Sequence, residues 1–393
     1  MIETFADGKV RSWASILDDV TRTQAAETAS LSIIAAPIAL MPDAHLGAGA
    51  TIGTVLVTEN ALIPMAVGVD IGCGMAARKL QLRLDDFRDT DSRAWVREMQ
   101  RTVPAGLGNW HGKASQAALD WIDENPPSSR LENVSRAAEQ LGTLGSGNHF
   151  VELSIDEDGH IWLLLHSGSR GAGNKLAQIH GKVANTFTGT LAPNRDLAWI
   201  PKETPEFDAY VDDLFWSQSY ALENRRQLLA SAHRAVETVF GQHIFVEDEV
   251  NCHHNYAAFE PVKELGKALY VTRKGAIRAG RGDRGLIPGA MGQASFVVTG
   301  LGNPASYESC SHGAGRAMSR TRARKEIPLA EFEARMVGVE WQDRDAEALL
   351  DEAPQSYKDV EQVMRDQADL VQVDYRLRAI ANFKGVESER RRR

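Results

Sequence analysis

The sequence predicts a mixed α/β chain folded as one intertwined domain. Runs that read as strands, such as 75–82 and 161–166, alternate along the whole chain with runs that read as helices, such as 175–188 and 207–240. No internal repeat and no long low-complexity linker separates them. The 393 residues, 43% hydrophobic and 25% charged, are sufficient for a large buried core of globular type.

Composition also excludes classes of function. No run of eighteen apolar residues occurs, so no membrane-spanning helix is expected. The first residues, Met1 to Asp7, lack the basic-then-apolar pattern of a secretion signal. Three scattered cysteines argue against a disulfide framework and for a reducing cytoplasm. A net charge of −9 disfavours indiscriminate coating of nucleic acid, while leaving room for a local basic groove.

Taken in order, 21–34 is Ala-rich and reads as a helix. Residues 40–50 read as a Gly-rich loop carrying Asp43 and His45, followed by a strand to Val57. An Asp-x-His pair in extended backbone turns both side chains to one face. In 66–75, Val67, Val69 and Ile71 alternate like a strand before glycines force a turn, which aims Asp70 and Cys73 at one point. Carboxylate plus thiol is a metal-ligand pair that needs histidines to complete it.

Residues 85–100 are polar and helical, 106–112 form a loop with an exposed His111, and 114–141 are helical segments broken at Pro126-Pro127. A Gly-rich turn at 145–147 feeds a strand starting near His149, with His149, Val151 and Leu153 on one face. The apolar strand 161–166 ends in His166. A Ser/Gly loop with Arg170 follows and resembles a phosphate cradle ahead of helix 175–188, whose N-terminus favours an anion. In helix 207–240 the aromatic and Leu stripe is core, and Asn224 and Arg225 have no local assignment.

His253 and His254 point to opposite faces of an extended segment, so one of the two joins a given site. After a strand at 270–274, Arg278, Arg281 and Arg284 form either an anion-binding patch or a solvated basic loop. Residues 288–298 are a turn into a strand. Glycine-flanked His312 is reachable as a nucleophile must be, and precedes helix 317–325, with Arg316, Arg320 and Arg324 on one face. A helix at 343–352 breaks at Ala353-Pro354, and Tyr357-Lys358-Asp359 opens another. Strand 371–383 leads to Lys384-Gly385. The domain is expected to span 1–385, with 386–393 a charged, disordered tail.

Asp70, Cys73, His149, His166 and one of His253 or His254 all lie at strand ends or Gly-rich turns. That concentration, in a chain with only three Cys and eleven His, points to a metal site. Thiolate and imidazole suit zinc by softness, the carboxylate admits manganese or iron, and there are donors for more than one ion. His312 stands apart and suggests a separate role. Phosphate-friendly loops and an Arg-bearing helix add phosphoryl transfer.

These segments resemble the RtcB family of RNA ligases. The resemblance is carried by 67–75, 145–152, 166–171, 251–256, 273–276, 287–292 and 309–320, with Tyr357-Lys358-Asp359 and Lys384-Gly385, in family order over nearly the whole chain. It implies a single α/β domain with mixed sheets flanked by helices around a central metal-binding cleft. It also implies GTP- and manganese-dependent joining of RNA 2′,3′-cyclic phosphate or 3′-phosphate ends to 5′-hydroxyl ends, in RNA repair or tRNA splicing. Asp70, Cys73, His149, His166 and His254 then hold two manganese ions, with Cys73 bridging; the resemblance selects His254 over His253. His312 takes GMP covalently, and Asp43 orients it. Asn148, Phe150, Glu152, Asn255, Ser295, Ala314, Gly315, Arg316, Tyr357 and Lys384 fall at guanylate and phosphate contacts. The implied protein is cytoplasmic, a monomer or weak homo-oligomer, with RNA ends and GTP as partners and no membrane.

The chain departs from the family pattern in three places. Ala290 stands where the Pro-Gly-Ser-Met-Gly turn has Ser, residues follow Lys384, and the segment from Arg278 to Ile287 is short. Two readings compete with ligation: a metal-dependent phosphodiesterase that opens cyclic phosphates without GTP, and a nucleotide-binding RNA-end sensor that forms no covalent adduct.

Overall fold

The computed structural model describes residues 1–88, 90–131 and 136–386, and all of the tail expected at 386–393 except Val386 lies outside them. Two large sheets organise the chain. The seven-stranded sheet is antiparallel throughout, in the order Val246–His253, Gly74–Arg83, His160–Ser167, Phe150–Ile155, Val371–Lys384, Ala294–Gly300, Arg284–Ile287. The six-stranded sheet runs Glu3–Phe5, Val10–Ser12, Ile38–His45, Ile52–Thr58, Lys267–Lys274, Asn255–Val262, with one parallel pair between Val10–Ser12 and Ile38–His45. Mixed sheets flanked by helices are therefore the architecture.

The sheets meet at one residue. Val246–His253 is an edge of the first sheet and Asn255–Val262 an edge of the second, with His254 at the corner between them. The backbone around Cys73 is stapled to this corner, because His254 N–H donates to the Cys73 carbonyl at 2.8 Å and Gly72 N–H to the Asn255 carbonyl at 2.6 Å.

The main core lies between the seven-stranded sheet and two helices, Asp91–Thr102 and Pro205–Phe240, where Leu80, Trp95, Val151, Leu163, Leu228 and Phe383 are buried. A second core, with Trp13, Met41, Val55, Val271, Ile287 and Phe296, joins the two sheets. Among the described residues no helix is long and apolar enough to cross a membrane.

Four expectations need correction. Asp43 and His45 lie on the Ile38–His45 strand and not in a loop; the glycines begin only beyond it. The alternation at 67–71 is not a strand. Pro64 starts the short helix Pro64–Val67, since its fixed φ suits a first helical position, and the chain then turns at Gly68 and Gly72. Third, the helix after His166 begins at Arg170, so the supposed phosphate loop is its first turns. Fourth, the helix expected at 343–352 is three short turns, Asp343–Asp345, Ala346–Leu349 and Leu350–Glu352.

Candidate metal centre and nucleotide cavity

Five side chains converge at the inner ends of the strands. His166 closes the His160–Ser167 strand, His149 precedes Phe150–Ile155, and His254 occupies the sheet corner. Asp70 and Cys73 come from the turn after Pro64–Val67. That turn needs glycine at 72, where φ is +72° and a Cβ would sit 2.8 Å from the Ala221 side chain. Two triads result, Asp70–Cys73–His149 and Cys73–His166–His254, each with donor atoms near enough to hold one cation, and they share the Cys73 sulfur.

Donor orientation supports that use. His149 Nδ1 lies 2.9 Å from the Leu144 carbonyl and His166 Nδ1 3.1 Å from the Asn148 carbonyl. His254 Nδ1 faces Asn255 Oδ1 at 3.2 Å; Gly275 N–H donates to the same oxygen, which fixes the amide orientation. Each Nδ1 proton is thus assigned to an acceptor behind the ring, leaving the three Nε2 lone pairs to converge. His149 Nε2 lies 3.4 Å from Cys73 Sγ and 3.1 Å from Asp70 Oδ2, and His166 Nε2 is 3.2 Å from the sulfur. His166 Nε2 and His254 Nε2 are only 2.8 Å apart. Two lone pairs at that distance repel, and a cation between the donors converts the repulsion into coordination. The donor set therefore fits a pair of divalent ions.

The electrostatics agree. Burial first, then neighbouring histidine charges, push His166 and His254 well below the ordinary imidazole value, which keeps them in the neutral ligand form. Burial and the Asp70 charge raise the Cys73 thiol. Burial would raise Asp70 too, but with no cation present a His149 protonated on Nε2 outweighs it and holds the carboxyl at about 2; a cation between the two takes the place of that proton. The helix N-terminus expected to attract an anion takes this carboxylate: Ser169 N–H donates to Asp70 Oδ1 at 2.9 Å.

A cavity of about 240 Å³ opens beside the second triad. His312 and His45 line it at one end and Glu152, Asn382 and Lys384 elsewhere. His312 follows the Ser309–Ser311 strand, its ring centroid 4.8 Å from that of His254 and its Nδ1 2.6 Å from Asp43 Oδ2. The same carboxylate oxygen accepts the backbone N–H groups of His312 and Gly313 at 3.2 and 3.3 Å. Burial alone would raise Asp43, yet the charge and hydrogen bonding of His312 hold it below its ordinary value.

Asn148, Phe150, Glu152, Ala314, Gly315, Arg316, Tyr357 and Lys384, all anticipated from the sequence, line this cavity. Asn255 and Ser295 do not. Asn255 braces His254 instead, and Ser295 is buried in the Ala294–Gly300 strand opposite Leu377. Ala290 lines the cavity, its N–H donated to Gln293 Oε1 at 2.9 Å.

Sequence reasoning missed Glu352. It is buried and accepts from Tyr357 Oη at 2.8 Å and Lys384 Nζ at 3.1 Å, with Arg320 on its other oxygen. No local signal marked it, since two of its three partners, Arg320 and Lys384, are 32 positions away. Of the arginines expected on one helix face, Arg320 pairs with Asp351 and Glu352 and the exposed Arg324 with Asp351, while Arg316 precedes the helix, which begins at Arg320. Arg278 and Arg284 pair with Asp283 and Asp248 at 3.1 and 2.6 Å, so two of the three arginines expected there are matched by carboxylates.

A donor cluster able to hold two cations, next to a carboxylate-tethered imidazole on a cavity, has the parts that metal-assisted phosphoryl transfer uses. Comparison with known proteins narrows the class. The family model described as tRNA-splicing ligase RtcB matches residues 24–126 and 113–385. The RNA-splicing ligase RtcB of Escherichia coli K12 is 40% identical over 391 residues, covering 93% of this chain and 94% of the relative. The tRNA-splicing ligases RtcB of Aeropyrum pernix and Nanoarchaeum equitans are 31% and 28% identical, over 88% and 94% of this chain and 87% and 92% of their own lengths. The chain belongs to the RtcB family.

Proposed function

We propose that this protein is an RNA ligase that joins 2′,3′-cyclic phosphate or 3′-phosphate ends to 5′-hydroxyl ends, using GTP and manganese and carrying GMP on His312. The observation that carries the proposal is the position of His312, on the cavity wall, against His254 of the cation cluster, with Nδ1 held by Asp43. Family membership supports the reaction class, since the relatives are named RNA- or tRNA-splicing ligases.

With Nδ1 turned to Asp43, Nε2 is the nitrogen left to attack the α-phosphorus of GTP. A P–N bond forms, a P–O bond breaks, and pyrophosphate leaves. The Asp43 carboxylate stabilises the positive charge on the substituted ring. An RNA 3′-phosphate oxygen then displaces the imidazole from GMP. The 5′-hydroxyl oxygen next attacks the activated 3′-phosphorus, and GMP departs. Asp70, Cys73, His149, His166 and His254 would hold two Mn²⁺, which supply Lewis-acid offset for charge developing on phosphoryl oxygens. Lys384, Tyr357 and Glu152 would grip the guanylate. The substrates belong to RNA repair or tRNA splicing in the cytoplasm.

The test incubates the protein with Mn²⁺ and α-labelled GTP, then denatures it. Label is expected on wild-type protein and absent from His312→Ala and Cys73→Ala. Label surviving His312→Ala would move the nucleophile elsewhere. Opening of cyclic phosphate without any label would replace ligation by phosphodiesterase activity.

A further inference from the structure

Two fully buried polar residues have no part in the chemistry above: Asn224 and Arg225, adjacent on the Pro205–Phe240 helix. Burying a guanidinium is costly, and here the groups it satisfies are neutral ones, which marks a position held for a purpose other than ion pairing.

Three of the four partners of Arg225 adjoin the ligands of the Cys73–His166–His254 triad. Nη1 donates to the Gly72 carbonyl at 2.7 Å and the Ser167 carbonyl at 3.2 Å. Nη2 lies 3.1 Å from His253 Nδ1, and Nε donates to Asn251 Oδ1 at 2.8 Å. Gly72 precedes Cys73, Ser167 follows His166, and His253 precedes His254. One rigid fork therefore fixes the backbone beside all three donors of the Cys73–His166–His254 triad.

Asn224 serves the other triad. Its Oδ1 accepts from Gly142 and Thr143 N–H at 2.9 and 3.3 Å. Its Nδ2 donates to Ser167 Oγ at 3.0 Å and the Gly168 carbonyl at 3.1 Å. Ser167 Oγ donates onward to the Leu144 carbonyl, the acceptor behind His149. Gly168 leads into Ser169, whose N–H holds Asp70. A Cβ at 168 would run into the Asp70 carboxylate, so this backbone has little room to shift.

We propose that the two are separate positioning residues: Arg225 sets the geometry of the Cys73–His166–His254 cation site, and Asn224 that of the Asp70–Cys73–His149 site. The proposal rests on the reading that both triads bind cations.

Mn²⁺ binding to the metal-free full chain, followed by the EPR signal of free Mn²⁺, tests it. Wild type is expected to bind two ions, and His149→Ala or His254→Ala leaves one each. Adding Arg225→Met to His149→Ala should weaken the remaining ion about 10- to 100-fold, the usual effect of losing an outer-shell partner. Adding it to His254→Ala should weaken the remaining ion less than about threefold, because of the three donors beside Arg225 only the shared Cys73 belongs to that site. Asn224→Ala should show the opposite pattern. Thermal unfolding in chelator checks the fold, and if Arg225→Met does not fold, Arg225→Lys carries the comparison with an intermediate loss. Equal weakening in both backgrounds would overturn the division of labour while leaving the metal reading intact. Wild type that binds no Mn²⁺ would overturn both.

Discussion

At the scale of the residue, Asp43 is the most informative side chain. It is fully buried on a strand, its partner His312 is 269 positions away, and it aligns both the ring and the backbone of that residue. Asp43→Asn preserves shape but removes the charge. Single-turnover formation of the guanylylated protein should slow by about 10²- to 10⁴-fold, the range for losing an orienting carboxylate, with Mn²⁺ binding retained. An unchanged rate would detach Asp43 from the chemistry. Ala290 makes a smaller claim. Ala290→Ser adds a hydroxyl to the cavity wall, and one additional hydrogen bond of about 1 kcal/mol should tighten GTP binding roughly fivefold by calorimetry. Glu352 carries the pH dependence. Burial would raise it, but Lys384 and then Arg320 outweigh burial and bring it from the ordinary 4.5 to about 2. A depressed carboxyl contributes stability that is present above pH 4.5 and lost as pH falls toward 2, here on the order of 3 kcal/mol. Glu352→Gln should lower stability at neutral pH and flatten that part of the acid limb in urea titrations at successive pH values.

At the scale of the element, the Cys73 turn bears the strictest backbone demand. Gly72→Ala places a Cβ 2.9 Å from the Gln218 backbone with φ at +72°. It should cost roughly 1–3 kcal/mol in urea unfolding and abolish Mn²⁺ binding at the shared sulfur. Long apolar or alternating strands were legible in the sequence: 75–82, 161–166 and 371–383 fall within one residue of Gly74–Arg83, His160–Ser167 and Val371–Lys384. The short helix Pro64–Val67 was not, because a single turn has no period to detect. The start of Arg170–Thr188 was misread because glycine normally signals a loop. Here Gly173 is inside the helix, where a Cβ would collide with Ser169. The choice between His253 and His254 was not local either. It is made by Arg225, which engages one ring, and by His166, which faces the other. Side chains with distant partners, Asn224 and Arg225, carried no mark in the sequence because nothing near them in the chain reveals what they touch.

At the scale of the whole molecule, the donors span positions 70 to 254 and sit where two sheets meet, so cation binding should stabilise the entire fold. At about 100-fold excess of Mn²⁺ over Kd, each ion adds about 2.7 kcal/mol. Calorimetry should therefore show Tm rising by several degrees in Mn²⁺ relative to chelator, and an unchanged Tm would mean that the cluster binds no cation in the native state.

The position of Val371–Lys384 has a consequence for synthesis. This strand is fifth in the seven-strand order, between Phe150–Ile155 and Ala294–Gly300. Until residue 384 has left the ribosome, those two neighbours present open edges, and Lys384 cannot reach Glu352. A nascent chain can assemble the cluster around Cys73 well before it can close the cavity that Lys384 lines. Translation thus delays the first turnover, and chaperones have the most to cover in that interval.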